Sequence, residues 1–160
     1  MTPAVVALTA AGVAFTVHEF EHEPGERGYG VVAAEALGVE PERVFKTLLA
    51  ELIVEGRAER VVGIVPVSCQ LSLRELAAAM GAKRAEMCKP DLAERITGYV
   101  VGGISPFGQK KRLRTAIDET CILYDTIFVS GGKRGLDLEI APDVLVQLLG
   151  AVVAPIATER

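Results

Sequence analysis

The stretch VFKTLLAELIVEGRAERVVGIV, residues 44–65, decides the fold class. Val44 to Leu52 reads as a strand, and Arg60 to Val65 reads as the next, joined to it through a turn at Glu55-Gly56. Strand alternation puts Lys46 on the same face as Leu48, Ala50 and Leu52. Outward from this pair, Thr126 to Ser130 and Leu136 to Ile140 flank Gly131-Gly132-Lys133-Arg134-Gly135, a second hairpin with a glycine-rich tip. Ala14 to His22 alternates as a strand, Tyr99 to Val101 is an apolar strand, and Val152 to Ile156 adds a last edge strand. Helices are marked by their ends. Thr2-Pro3 is an N-cap and first-turn proline, with Gly12 as the stop. Val31 to Leu37 ends at Gly38, and Pro41 starts a turn. Ser72-Leu73-Arg74-Glu75 is a capping box opening a helix through Met80 to Gly81. Asp91 to Arg95 is a short helix, and Pro142 opens another that Gly150 closes after Leu149. Glu23 to Gly28 is a loop.

The tally is about seven strands with short helices between them, which is not the strict alternation of a doubly wound parallel sheet. The expectation is an α+β fold: a mixed, curved, barrel-like β-sheet with short helices around it, in a single domain over residues 1–160. There is no internal repeat, low-complexity tract or linker.

Hydrophobic residues make up 50% of the chain, enough for a core and against disorder. No apolar run reaches the roughly 18 residues of a membrane span. The opening Met1-Thr2-Pro3-Ala4-Val5-Val6 does not read as a signal peptide. Cys69, Cys88 and Cys121 are odd in number and widely spaced, with no CxxC or zinc pattern. They fit a reducing compartment, so the cytoplasm is expected. The net charge of −4 argues against indiscriminate nucleic-acid binding, DNA included. The charge is unevenly spread, however. Between Ile96 and Ile117 there is no acid, yet Lys110, Lys111, Arg112 and Arg114 fall there, and Lys133 and Arg134 form a second basic spot. Such patches suit one defined phosphate backbone or, equally, a solvated loop.

Gly98 to Arg112 leads from the apolar run through a glycine-lined turn into the first basic cluster. Glycines let backbone N–H groups approach a ligand, and the cations beyond would hold phosphates. Lys46, on an apolar face, must snorkel or bind something. Asp137 and Glu139 alternate with Leu136, Leu138 and Ile140: either a solvent face, or an acid facing a pocket to pair with a cation or amine. His18, Phe20 and His22 share a strand face, but two histidines without a third ligand make no metal site. No serine triad elbow, P-loop or dinucleotide fingerprint is present, and Ser105 and Ser130, beside glycines, read as hydrogen-bonding residues.

Three runs carry a resemblance: Phe45-Lys46-Thr47-Leu48; Thr97 through Gly102-Gly103-Ile104-Ser105-Pro106-Phe107-Gly108-Gln109-Lys110-Lys111; and Val129-Ser130-Gly131-Gly132-Lys133-Arg134-Gly135-Leu136-Asp137. Together with Met1 to Val5 they resemble the YbaK family of free-standing Cys-tRNA(Pro)/Cys-tRNA(Cys) deacylases. That family is related to the editing insertion of bacterial prolyl-tRNA synthetases. The resemblance spans essentially the whole chain in the same order, and it implies hydrolysis of the ester joining a wrong amino acid to the 3′-terminal adenosine. Its implied catalytic set is Lys46, Gly102, Gly103 and Asp137. Its implied substrate-binding set is Phe20, Thr47, Ile104, Ser105, Pro106, Ser130 and Gly131. Lys110, Lys111, Arg112, Lys133 and Arg134 would face tRNA. No metal or cofactor is implied, and the expected partners are the aminoacylated tRNA end and prolyl-tRNA synthetase. Phe20 departs from the tyrosine of relatives and removes one hydroxyl. Backbone donors would stabilise the oxyanion, and the cysteinyl thiol would attack its own carbonyl. Two alternatives stay open: a deacylase for another small aminoacyl ester such as Ala-tRNA(Pro), and a tRNA- or synthetase-binding module without turnover.

Overall fold

The hairpin expected at residues 44–65 forms, and it organises the larger sheet. In a computed structural model that describes residues 1–21 and 29–159, the elements are as follows. Helix α1 (Pro3–Ala11) is followed by β1 (Thr16–Glu19), α2 (Tyr29–Leu37) and a 3-10 turn (Pro41–Arg43). Then come β2 (Phe45–Val54), β3 (Arg57–Pro66), β4 (Cys69–Leu71), α3 (Leu73–Met80), β5 (Arg84–Met87) and α4 (Pro90–Thr97). The chain ends with β6 (Thr115–Asp118), a 3-10 segment (Glu119–Leu123), β7 (Ile127–Lys133), β8 (Leu136–Ile140), α5 (Pro142–Leu149), β9 (Val152–Ala154) and β10 (Ala157–Glu159).

Strands β2 and β3 pair antiparallel from Phe45↔Pro66 to Val54↔Arg57. Glu55 and Gly56 close the turn at φ 49° and 78°, the two positive values a tight hairpin turn requires. This pair forms the middle of a five-stranded sheet in the order β5-β2-β3-β6-β9, with β6 parallel to both β3 and β9. The sheet is covered on both sides. Phe45, Leu49, Val62 and Ile64 join one buried cluster, while Ala50, Leu52, Val61 and Val65 join another. A second sheet, β1-β8-β7, is antiparallel, and β10 pairs with β4. A single bridge, Val44↔Phe128, links the start of β2 to β7.

The α+β class and the mixed pairing are as expected, but the barrel-like single sheet is not what forms. The strands fall into three ladders, and none of them closes on itself among the described residues. Strands β4, β5, β6 and β10 are three or four residues long. Only β6 is wholly buried, so it carries no alternation to read. The strand expected at Tyr99–Val101 is instead a loop, because its polar groups find partners elsewhere. Tyr99 buries its ring and donates its hydroxyl to the Phe107 carbonyl at 2.6 Å. The Val101 N–H goes to Glu94 Oε2 at 2.8 Å, and the Gly103 N–H to the Val100 carbonyl at 2.8 Å. Strand β1 is shorter than the alternation suggests, although Phe20 N–H still reaches the Gly135 carbonyl at 2.9 Å. His22 and the loop at residues 23–28 lie outside the described residues. At Ser72 only half of the capping box forms. Its hydroxyl accepts from Glu75 N–H at 3.2 Å, while its own N–H is taken by the Ile156 carbonyl at 2.7 Å.

The C-terminal strands hang on one buried carboxylate. Asp118, 3% exposed at the end of β6, accepts from Ile156 and Ala157 N–H through Oδ1 at 3.0 and 2.9 Å. Its Oδ2 accepts from Thr120 N–H and Thr120 Oγ1 at 3.2 and 2.6 Å. Asp118→Ala takes these acceptors from buried main-chain donors, so urea unfolding should show a loss of about 2–4 kcal/mol, with a smaller loss for Asp118→Asn.

Candidate active site

A cavity of about 380 Å³ opens where the first residues of β2, the β7–β8 hairpin, the start of α2 and the loop after α4 converge. Strand β2 contributes Lys46 and Thr47, β7 contributes Ser130, and β8 contributes Asp137. Phe20 enters from the residue after β1, and Gly102 and Ile104 from the loop. Most of the expected catalytic and pocket residues therefore come from distant parts of the chain to one wall.

Asp137 is 7% exposed, and burial pushes its carboxyl up to about 7. Cross-strand register sets it in one row with Ser130 on β7 and His18 on β1. Glu139 lies two residues on, on the same strand face, and behaves oppositely. It accepts from Thr126 Oγ1 at 2.5 Å, and His18 Nε2 lies 2.9 Å from its other oxygen. That hydroxyl bond first, then His18 and the Arg43 guanidinium at 3.6 Å, hold the Glu139 carboxyl below the usual carboxylate range. The two acids differ in what surrounds them, with donors around one and a largely apolar wall around the other. A group poised near neutrality in a cavity is a candidate for function.

Thr47 adds a second anomaly. It is 7% exposed, and its Oγ1 is the one buried side-chain polar atom that lacks a hydrogen-bond partner among the described residues. A buried hydroxyl left unpaired costs about 1–3 kcal/mol. A hydroxyl that lines a cavity can recover that cost from a ligand.

The remaining expected residues stand behind or outside the wall. Gly103 is buried against the hairpin tip, where a Cβ would lie 2.8 Å from Lys133 Cα. Gly131 packs on Leu136, 2.8 Å from its Cδ2 by the same measure. Ser105 is fully buried, with its Oγ accepting from Phe107 N–H at 3.3 Å, and Pro106 is buried beside it. Gly103, Ser105 and Pro106 shape the loop and Gly131 the hairpin, and none of the four lines the cavity. Lys110, Lys111, Arg112 and Lys133 are exposed and Arg134 is half-buried; none lines the cavity. Arg112 reaches the Leu148 carbonyl near the end of α5 at 3.4 Å.

Sequence reasoning missed Tyr29 and Cys88, which both line the cavity. Tyr29 opens α2, and the Gly30 that follows it was a usable signal: a Cβ there would meet Val67 Cγ1 at 2.3 Å, so the helix sits tightly on the sheet end. Burial, and secondly the Glu51 charge, push the Cys88 thiol up to about 11. Among the described residues no group of three or more His, Cys, Asp and Glu could hold a metal ion, and no helix is long and apolar enough to cross a membrane.

The family model for the aminoacyl-tRNA editing domain matches residues 26–148. The chain belongs to the aminoacyl-tRNA editing domain family. It is 40% identical over 127 residues to a candidate Cys-tRNA(Pro)/Cys-tRNA(Cys) deacylase, EbsC of Enterococcus faecalis, covering 79% of this chain and 76% of that one. A crystal structure of a candidate trans-editing enzyme for prolyl-tRNA synthetase superposes with a TM-score of 0.81 at 25% identity, over 98% of this chain and 95% of that one. The hypothetical protein APE2540 matches with a TM-score of 0.85 over 98% and 99% of the two chains; at 22% identity it speaks for the fold alone.

Burial of Asp137 has a cost that pH reveals. Its carboxyl ordinarily titrates near 3.8 and in the fold near 7. Between those values the folded chain holds a proton that the unfolded chain has lost, so this group's contribution to stability falls as pH rises through the window. Asp137→Asn should therefore raise the thermal midpoint by several degrees at pH 8 and leave it nearly unchanged at pH 4 in paired melting curves.

Proposed function

We propose that this protein is a trans-acting aminoacyl-tRNA deacylase that clears Cys-tRNA(Pro), working in the cytoplasm beside prolyl-tRNA synthetase as one editing domain spanning residues 1–160. The observation that carries the reading is the convergence, in one cavity, of a lysine, a near-neutral buried acid and a partnerless hydroxyl. The 40% identity to EbsC supports it.

The chemistry follows from the residues. Lys46 supplies a cation for the terminal adenosine or its phosphates. Asp137, once ionised, takes the α-ammonium of the aminoacyl group, and that pairing lowers its pKa and favours the charged form. Thr47 Oγ1 and Ser130 supply hydrogen bonds to the amino-acid portion. A main-chain N–H of the glycine loop, with Gly102 at the wall, meets the developing oxyanion. The cysteinyl sulfur then bonds to its own carbonyl carbon. The ester C–O bond breaks, and the adenosine hydroxyl departs with the thiol proton. Water opens the cyclic thioester to free cysteine. The protein needs no nucleophile of its own, since holding the ester folded supplies the proximity. Phe20 brings an apolar ring where a hydroxyl would otherwise stand, while Tyr29 brings a phenol to the same cavity. Lys110, Lys111, Arg112 and Lys133 contact the tRNA backbone, and the synthetase supplies tRNA selection.

A panel of charged tRNAs tests this. Purified protein should release cysteine from Cys-tRNA(Pro), leave Pro-tRNA(Pro) intact and need no cofactor. Lys46→Ala should lower the rate at least 100-fold with an unchanged thermal midpoint. Faster release of alanine from Ala-tRNA(Pro) would move the substrate assignment. RNA binding without hydrolysis above background would make this a binding module.

A further inference from the structure

We infer that Arg134 is a positioning residue that aims the Gly102 N–H as the oxyanion donor, and is not principally a contact for tRNA phosphate. The inference rests on the deacylase reading above and assigns one of its working parts.

Three observations meet at the Val101–Gly102 peptide. The Val101 carbonyl accepts from Arg134 Nε at 3.0 Å and from Nη2 at 2.7 Å. The guanidinium carbon lies 4.2 Å from the Tyr29 ring centre, so the fork is stacked as well as bonded. Gly102 stands at φ 88°, and a Cβ there would fall 2.4 Å from Tyr29 Cδ2. The loop, the hairpin tip and the first residue of α2 are thus locked at one point.

A trans peptide is planar, with its N–H opposite its C=O. Holding the Val101 oxygen therefore fixes the direction of the Gly102 N–H. The two glycines that sequence offers as donors are not equivalent. The Gly103 N–H is spent on the Val100 carbonyl at 2.8 Å. The Gly102 N–H makes no hydrogen bond among the described residues, and Gly102 is the one that lines the cavity. Glu94 anchors the preceding peptide through the Val101 N–H, so rotation about Val101 is restrained from both sides. Lysine cannot reproduce the clamp, because a point charge on a flexible stem gives neither a planar fork nor a stacked face.

Arg134→Lys keeps the charge and loses the geometry, while Arg134→Ala loses both. Removing one oxyanion donor costs about 10²–10³ in kcat. Misaiming it should cost somewhat less, so both variants should lower kcat about 10–100-fold. KM for charged tRNA and its salt dependence should stay as in the wild type. The ¹⁵N order parameter of the Gly102 amide should drop from the rigid range in both variants, a readout independent of turnover. The inference is overturned if Arg134→Lys is fully active while Arg134→Ala raises KM and flattens its salt dependence, the signature of a phosphate contact. An unchanged Gly102 order parameter in Arg134→Ala also overturns it, whatever the activity. A wild type that hydrolyses no charged tRNA removes the deacylase reading, and with it the donor's task, while the relaxation data still report separately whether the clamp exists.

Discussion

The cavity depends on main chain touching main chain at Gly103. Any side chain at that position would lie within 3 Å of the Lys133 and Arg134 backbone. With glycine, the loop after α4 can lie directly on the hairpin tip, and the rest of the wall follows from that contact. Val101 comes within reach of Arg134, Gly102 comes against Tyr29, and Ile104 turns into the cavity. The same junction is fastened from the N-terminus. Gly108 passes so close to Pro3 that a Cβ would sit 2.5 Å from its carbonyl carbon, and Thr2 Oγ1 donates to the Gly131 carbonyl at 2.5 Å. Helix α1 is therefore the back brace of the site. Its cap residue, Thr2, serves both the helix and the hairpin tip.

Charge placement shows a division of labour along one strand. Glu139 is surrounded by donors and is held ionised, which steadies His18, Arg43 and Thr126 at one end of the β1-β8-β7 face. Asp137, at the other end, is given burial instead. An acid so placed is a poor contributor to stability at neutral pH and a good receptor for an ammonium ion. In the proposed reaction a substrate amine would restore what the fold withholds, so that binding energy would be drawn from the burial of the carboxyl.

What could be read from sequence and what could not have different physical origins. Helix ends were legible because capping is local chemistry. Thr2 and Pro3, Ser72, Pro142 and the glycines at 12, 81 and 150 mark boundaries the structure keeps. Both hairpins were legible because alternation brackets a glycine-bearing turn. Tyr99–Val101 misled because an apolar run specifies burial or pairing only when a neighbour is available, and here α4 and the hairpin tip claim its polar groups. Strand β6 was hidden because a segment buried on both faces has no period. At the site, Lys46 stood out as a charge on an apolar face, whereas Asp137, alternating with Leu136 and Leu138, read either as a solvent-facing acid or as one facing a pocket. Tyr29 and Cys88 did not, because an aromatic at a helix start and a lone cysteine look like ordinary core. Ser105 and Gly103 sit inside the motif that carries the resemblance, yet they build the loop behind the wall. A motif records the residues that shape a cavity as well as those that line it.

Cys88 shows how such a cavity tolerates a thiol. A thiolate beside an activated ester would compete for the acyl group and leave it on the protein. Burial and the Glu51 carboxylate hold the Cys88 thiol near 11, so at pH 7 only about one molecule in 10⁴ carries the nucleophilic form. In the proposed reaction the cysteinyl substrate would bring a thiol of its own, within one residue of the carbonyl it attacks. Proximity would then favour the substrate sulfur while protonation silences the protein's. A cavity working by that mechanism would discriminate by reactivity as well as size, which is what separates a thiol-bearing amino acid from one of nearly equal volume that lacks it.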